Sequence, residues 1–189
     1  MKGTLCLLAF TVFLAAPALA DHHEAMEKGK TNPGHSEMQA DTWGYVGAGR
    51  AVHWGQFAQV CAAGMKQSPI NIQEYVEDSD LPALEISYAD ANLVVVNTGK
   101  TVQVNYPPGN MLRVGGKDYE LVHYHFHTPS EHYVDGAPYP MEVHFVHKAA
   151  DGGLAVVGAM MKIGEKNPVI EGIWQNVPVS KETKEVGTI

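Results

Sequence analysis

The sequence predicts a mainly β protein built on a largely antiparallel, twisted sheet with few short helices. Three observations predict it. Short runs rich in Val, Ile, Tyr and Phe recur between residues 84 and 163, Gly, Pro, Asn and Asp separate them, and only one later stretch carries a helical apolar stripe. The expected strands are Leu84–Tyr88, Leu93–Val96, Thr101–Tyr106, Met111–Val114, Tyr119–His127, Met141–His147 and Leu154–Ile163. Asn97-Thr98-Gly99-Lys100, Gly115-Gly116 and Asp151-Gly152-Gly153 offer residues that accept positive φ, as tight hairpins require. The helix is expected near Asn167-Pro168. Asn167 can cap it, Pro168 suits its first turn, and Val169, Ile170, Ile173 and Trp174 form one apolar stripe.

Composition bounds what such a sheet can serve. In 189 residues, 45% are hydrophobic and 18% charged, which fits one folded domain rather than a disordered chain. The formal net charge of −8 repels nucleic acid and anionic lipid, so neither is an expected partner. Two cysteines exclude a disulfide-dense scaffold, and no CxxC pair marks a zinc ribbon or thioredoxin-like site.

Residues 1–20 have the order of an export signal: Lys2, an apolar run from Leu5 to Ala16, then Ala18-Leu19-Ala20 before Asp21. The run is shorter than the roughly 20 apolar residues that span a bilayer, so no stable membrane anchor is expected. Cleavage near Ala20 would place the protein in the periplasm or outside the cell. It would also remove Cys6, leaving Cys61 as an odd thiol where disulfides are favoured. Residues 21–42 are polar, lack apolar periodicity and read as a mobile arm; its His22, His23 and His35 are better explained as a solvated tail than as a specific metal site. The domain proper is expected over 43–189.

Ten histidines are present, and five fall between residues 123 and 144. On a strand, His123, His125 and His127 share one face, because side chains i and i+2 project the same way. If the next strand pairs with this one, His144 approaches His125 and His127, and three imidazoles meet. Three histidines leave a tetrahedral zinc one open position, the catalytic pattern, although imidazole also suits copper and nickel. Glu131 and Glu142 are the candidate carboxylates for orienting these rings. Burying three imidazoles without a use would demand a hydrogen-bond partner for each.

Longer strings then point to a family. Trp43-Gly-Tyr45, His53-Trp54, Gln67-Ser-Pro-Ile-Asn-Ile72, Tyr124-His-Phe-His-Thr-Pro-Ser-Glu-His132, Met141-Glu-Val-His-Phe-Val-His147 and Leu154-Ala-Val-Val-Gly158 occur in this order. From residue 43 to about 175 the chain resembles the exported, bacterial-type α-class carbonic anhydrases. The resemblance implies their central twisted sheet, Zn2+ held by His125, His127 and His144, and reversible hydration of carbon dioxide to bicarbonate and a proton by zinc-bound hydroxide. It implies that Glu142 orients His144, that Glu131 belongs to the hydrogen-bond chain that polarises the hydroxide, and that Tyr45 is an outer member of the water network. Val146 and Val156 match the apolar wall where carbon dioxide rests. Sulfonamides are the expected inhibitors, and Ser68–Pro69 is expected to be cis.

The chain also departs from the pattern. His123 stands where relatives carry a glutamine bonded to the first ligand. Lys100 stands at the proton-shuttle position, and a lysine, with a reference pKa of about 10.4, is a poor shuttle near neutrality. Between Trp174 and Ile189 there is no Ser-Leu-Thr-Thr-Pro-Pro-like segment and no cysteine to pair with Cys61, which implies a domain cut short at its C-terminus. The alternatives to a working enzyme are a noncatalytic carbonic-anhydrase-like binding module, an inactive fragment, and a zinc-carrying protein that uses the His-rich arm. Oligomeric state is not legible.

Overall fold

The computed structural model describes residues 43–187 and the backbone of Val12–Ala15. The arm at 21–42 and the rest of the export signal lie outside the described residues. The chain divides into two compact units, Ala18–Ser68, and Met1–Pro17 together with Pro69–Ile189.

In Ala18–Ser68, Gly47–Gly49 and Ala51–Gln56 form 3-10 turns, followed by the short helix α1 (Gln59–Ala63). Trp54 organises them. Its Nε1 donates to the carbonyls of Gly44 and Gly49 at 2.9 and 3.0 Å, and its ring meets Trp43 and Tyr45 edge-on. Gln67 Nε2 donates to the carbonyls of Val60 and Gly64, satisfying acceptors that a helix end leaves open. Cys61 is an exposed thiol.

The other unit is a nine-stranded sheet with a small three-stranded companion. In chain order the strands are β1 (Val12–Ala15), β2 (Asn71–Ile72), β3 (Glu85–Ser87), β4 (Leu93–Asn97), β5 (Val102–Asn105), β6 (Met111–Val114) and β7 (Lys117–His127). They continue with β8 (Tyr133–Val134), β9 (Ala137–Pro138), β10 (Met141–Lys148), β11 (Leu154–Met161) and β12 (Glu182–Val186); helix α2 (Pro168–Trp174) lies between the last two. The main sheet runs β1-β11-β10-β7-β5-β4-β12, with β6 joining β7 to β3, and its pairings are antiparallel. β2, β8 and β9 form the companion, in which β2 and β8 run parallel.

The seven expected strands are present, with ends shifted by a few residues. Gly115 and Gly116 adopt φ of +57° and +77° between β6 and β7, conformations that only glycine takes without strain. Several elements were not expected, among them β2, α1 and the 3-10 turns before it. β12 reads Glu-Thr-Lys-Glu-Val and is exposed over most of its length, because charged edge strands pair through backbone alone and resist further pairing. β8 and β9 are a two-residue hairpin around Asp135-Gly136, inside what reads as a turn-rich connection. β1, from the apolar segment that the sequence assigns to an export signal, lies along β11 with Val12 opposite Val157 and Ala15 opposite Leu154. The expectation for Ser68–Pro69 is corrected: the cis bond among the described residues is Thr128–Pro129. Every X–Pro bond has a similarly small trans preference, so short local sequence does not decide between them.

α2 covers one face of the sheet. Asn167 Oδ1 accepts from the backbone N–H of Val169 and Ile170, capping it as expected. Ile173 is buried in a cluster with Leu93, Val95, Val104, Phe126 and Val143. Ile173→Ala should cost about 2–5 kcal/mol through lost burial and a cavity, lowering Tm by roughly 5–15 °C. A thermal melt unchanged by this substitution would show that α2 does not anchor the core.

Candidate metal centre

The register of β7 and β10 builds the site. His144 lies opposite His125, and Glu142 lies opposite His127. Alternation along β7 sends Tyr124 and Phe126 to the face under α2, where they line a cleft with Val143, Phe145, Ile170 and Ile173. The other face holds the histidines. Ring centroids are 4.9 Å apart for His125–His127, 4.7 Å for His127–His144 and 5.4 Å for His125–His144. One nitrogen from each ring lies within 4.8 Å of the other two. His125 Nδ1 is buried without a hydrogen bond, the state of a lone pair or N–H left over from a ligand role. An all-imidazole donor set of this size fits zinc.

Glu142 is fully buried and holds the surrounding backbone. Its Oε2 accepts from the N–H of Glu131 and His132 at 2.9 and 3.0 Å, and its Oε1 accepts from His132 Nδ1 at 2.7 Å. The same Oε1 lies 2.8 Å from His144 Nε2, a close contact whose angle falls short of a good hydrogen bond. Burial alone would raise the Glu142 pKa, but hydrogen bonds from the His132 ring and backbone, with the His144 imidazole close by, hold it well below the usual carboxylate range. Glu142 is therefore a charged anchor beside His144.

Two participants had no role in the sequence expectation. His132 was visible only as one member of the histidine cluster, and nothing in its spacing distinguished a carboxylate's partner from a surface residue. Gly158 lies opposite His144 on β11, where an added Cβ would come within 2.9 Å of Glu142 Oε1. A glycine inside an apolar strand is the signal for such a close approach. Because Glu142 is tied down on several sides, Gly158→Ala should cost about 1–3 kcal/mol by overpacking, read as a lower Tm.

The remaining expected residues are placed as follows. Val146 and Val156 are cross-strand partners on β10 and β11, with Val146 two residues beyond His144 on the same face. His123 lies next to His125, at 5.3 Å between ring centroids, and outside the three-nitrogen group. Lys100 is exposed in the β4–β5 turn, where its N–H donates to Thr98 Oγ1. Tyr45 belongs to Ala18–Ser68 and packs edge-on against Trp43 and Trp54. Glu131 Oε2 lies 3.4 Å from His127 Nε2.

Burial, and the repulsion of neighbouring imidazoles, lower the pKa of His125 to about 3 and of His127 to about 4. Both rings stay neutral at pH 7, as metal ligands must. In the metal-free protein the folded state binds fewer protons than the unfolded one between these values and 6.5. The stability they contribute is thus complete above about pH 6.5 and is lost as pH falls toward 4 and below, by on the order of 3 kcal/mol for His127. Chelator-treated protein should show that decline in denaturant midpoint, and a flat profile from pH 6.5 to 4 would contradict it.

A twisted antiparallel sheet carrying three converging histidines on one face defines a class of β-sheet protein with a candidate metal centre, and the comparisons narrow it. Residues 50–188 match the model of the eukaryotic-type carbonic anhydrase family. A carbonic anhydrase from Nostoc sp. is 40% identical over 148 residues, covering 75% of this chain and 56% of the relative. A hyperthermostable carbonic anhydrase from a hydrothermal vent chimney superimposes with a TM-score of 0.74 at 41% identity, over 78% of this chain and 68% of that one. The α-carbonic anhydrase of Thermovibrio ammonificans, solved with the inhibitor sulfanilamide, superimposes with a TM-score of 0.71 at 36% identity, over 75% and 65%. This chain belongs to the eukaryotic-type carbonic anhydrase family. It spans less than two thirds of the length of the curated relatives it matches, 59% of the one from Pectobacterium carotovorum and 56% of the one from Nostoc sp..

Proposed function

We propose that the protein is a zinc-dependent carbonic anhydrase, interconverting carbon dioxide and water with bicarbonate and a proton. The convergence of one nitrogen each from His125, His127 and His144 within 4.8 Å carries this proposal. Zinc held there would act as a Lewis acid that lowers the pKa of a bound water to about 7, a value for which carbonic anhydrases are themselves the reference case. The neutral imidazoles leave the ion its full charge. Glu142 fixes the orientation of His144, and the buried His132 fixes Glu142. Val146 and Val156 supply the apolar wall against which uncharged carbon dioxide can rest beside the triad. Glu131 and Tyr45 would belong to the polar network that steers water, and Lys100, at the shuttle position, offers no imidazole to relay a proton, so proton release should depend on external buffer. Sulfonamides of the kind bound by the Thermovibrio relative should inhibit. Export through cleavage near Ala20 fits this activity, and cleavage there would remove β1 from the edge of β11.

The test is zinc content together with carbon dioxide hydration, followed by stopped-flow with and without sulfanilamide. Stoichiometric zinc and sulfanilamide-sensitive hydration are expected, rising with buffer concentration. A folded, zinc-loaded protein that hydrates carbon dioxide no faster than buffer would overturn the proposal in favour of a noncatalytic family member.

A further inference from the structure

The loop between β7 and β10 carries a buried hydroxyl at its base. Ser130 is 3% exposed, and its Oγ makes two hydrogen bonds of opposite sense. It donates to the carbonyl of His132 at 2.6 Å and accepts from the N–H of Tyr139 at 2.8 Å. The Ser130 N–H adds another bond, to the Tyr139 carbonyl at 2.9 Å. His132 and Tyr139 lie on the two arms of the loop. The first arm presents the His132 ring, and the second runs on through Pro140 and Met141 to Glu142. The far end of the loop, the β8–β9 hairpin, is tied to β2: the N–H of Asp135 donates to the Ile72 carbonyl at 3.1 Å, and that of Gly136 to Asn71 Oδ1 at 2.9 Å. The Ser130 hydroxyl bridges the arms where they meet Glu142.

We infer that Ser130 is a positioning residue of the metal centre, its hydroxyl setting the His132–Glu142 contact that orients the His144 ring. This rests on the zinc-site proposal and deepens it. His132 Nδ1 lies 2.7 Å from Glu142 Oε1, and the same oxygen lies 2.8 Å from His144 Nε2, so a shift of the first arm passes through one carboxylate to a ligand ring. Partners that orient ligating histidines are typically worth about 10–100-fold in metal affinity, because a ring free to turn must be ordered when the ion binds. Ser130 acts one step further back, on the residue that holds that partner. A hydroxyl can donate and accept at once, which this bridge needs. Alanine there leaves the Tyr139 N–H without its acceptor and the His132 carbonyl without its donor; threonine keeps both bonds. A hydroxyl that merely closed the loop would add to stability and leave the affinity of the folded protein for metal untouched.

The experiment titrates the metal-free full chain with Co(II), a visible reporter for an imidazole site, reading Kd from the d–d absorption and Tm from circular dichroism. Ser130→Ala should bind Co(II) about tenfold more weakly, and Ser130→Thr should stay within about threefold of wild type. Ile173→Ala, in the core on the other face of the sheet, is the control: it should lower Tm and leave Kd unchanged. Ser130→Ala that lowers Tm with Kd unchanged, as the control does, would overturn the proposal. Threonine as weak as alanine would also overturn it, because the effect would not follow the hydroxyl. If Ser130→Ala does not fold, Ser130→Cys decides, since a thiol is a weak donor and a weak acceptor: binding several-fold weaker than wild type supports the proposal, and equal binding overturns it. His125→Ala separates the two levels of inference. Co(II) uptake that is absent from wild type, or undiminished in His125→Ala, defeats the metal site itself; uptake that needs His125, with no effect of Ser130→Ala on Kd, defeats the role of Ser130 alone.

Discussion

Glu142→Ala is expected to destabilise the protein by about 3–5 kcal/mol, the usual cost of breaking a buried charged network by removing one partner. Glu142 is 0% exposed, so water does not already satisfy its neighbours. Its removal strands the N–H groups of Glu131 and His132 and the Nδ1–H of His132, and it frees the His144 ring to turn. At the per-kcal response of a chain this size, Tm should fall by roughly 6–20 °C. Glu142→Gln keeps the volume and one acceptor oxygen but loses the charge, so a smaller loss is expected, about 1–3 kcal/mol. Because the folded pKa of Glu142 lies below its unfolded value, its charge stabilises the protein fully above about pH 4.3 and less as pH falls through the folded value. The gap between wild type and Glu142→Gln should thus be constant near neutrality and close only in strong acid. Melts of Glu142→Ala within 2 °C of wild type would show that the network is not an anchor.

The sequence made some of this legible because two periodicities overlapped. β7 alternates histidine with aromatic residues, so strand, face and candidate ligands could be read from one segment. β10 carries His144 in the next strand-like run, and only the assumption that the two pair is needed to bring it to His125. β6 was bounded on one side by Gly115-Gly116, whose positive φ ends a strand wherever it falls. Other features had no local signature. β12 is charged and exposed, and it exists as a strand because β4 offers it an edge. His132 acquires a role only when Glu142, ten residues away in sequence, folds back over the loop. Glu131 could be named as a candidate carboxylate, but its 3.4 Å approach to His127 Nε2 depends on a loop tied to Glu142, which spacing does not encode. Tyr45 is named through the resemblance alone, and it packs edge-on against Trp43 and Trp54 within Ala18–Ser68.

His125→Ala should weaken metal binding by about 10²–10³-fold while leaving the metal-free fold nearly intact, the reverse of Glu142→Ala. A structural zinc centre contributes about 10–16 kcal/mol through four ligands, so one ligand accounts for roughly 3–4 kcal/mol, a loss of about 10²–10³-fold in affinity. The fold has little to lose. His125 Nδ1 is buried without a hydrogen bond, and the ring is held neutral against its tendency to protonate, with a pKa of about 3. Replacing a ring that makes few polar bonds removes an unfavourable burial along with some packing, so Tm without metal should shift by no more than about 3 °C. In wild type, zinc at 1,000 times its Kd adds about 4 kcal/mol of stability, and at the same zinc concentration the variant should keep only about 0.4–1.4 kcal/mol of it, a much smaller rise in Tm. A residue whose loss leaves the empty protein unchanged and removes most of its response to zinc is present for the ion. If His125→Ala keeps the full zinc-induced rise, the ion is held elsewhere, and the histidines at 22, 23 and 35 become the residues to replace next.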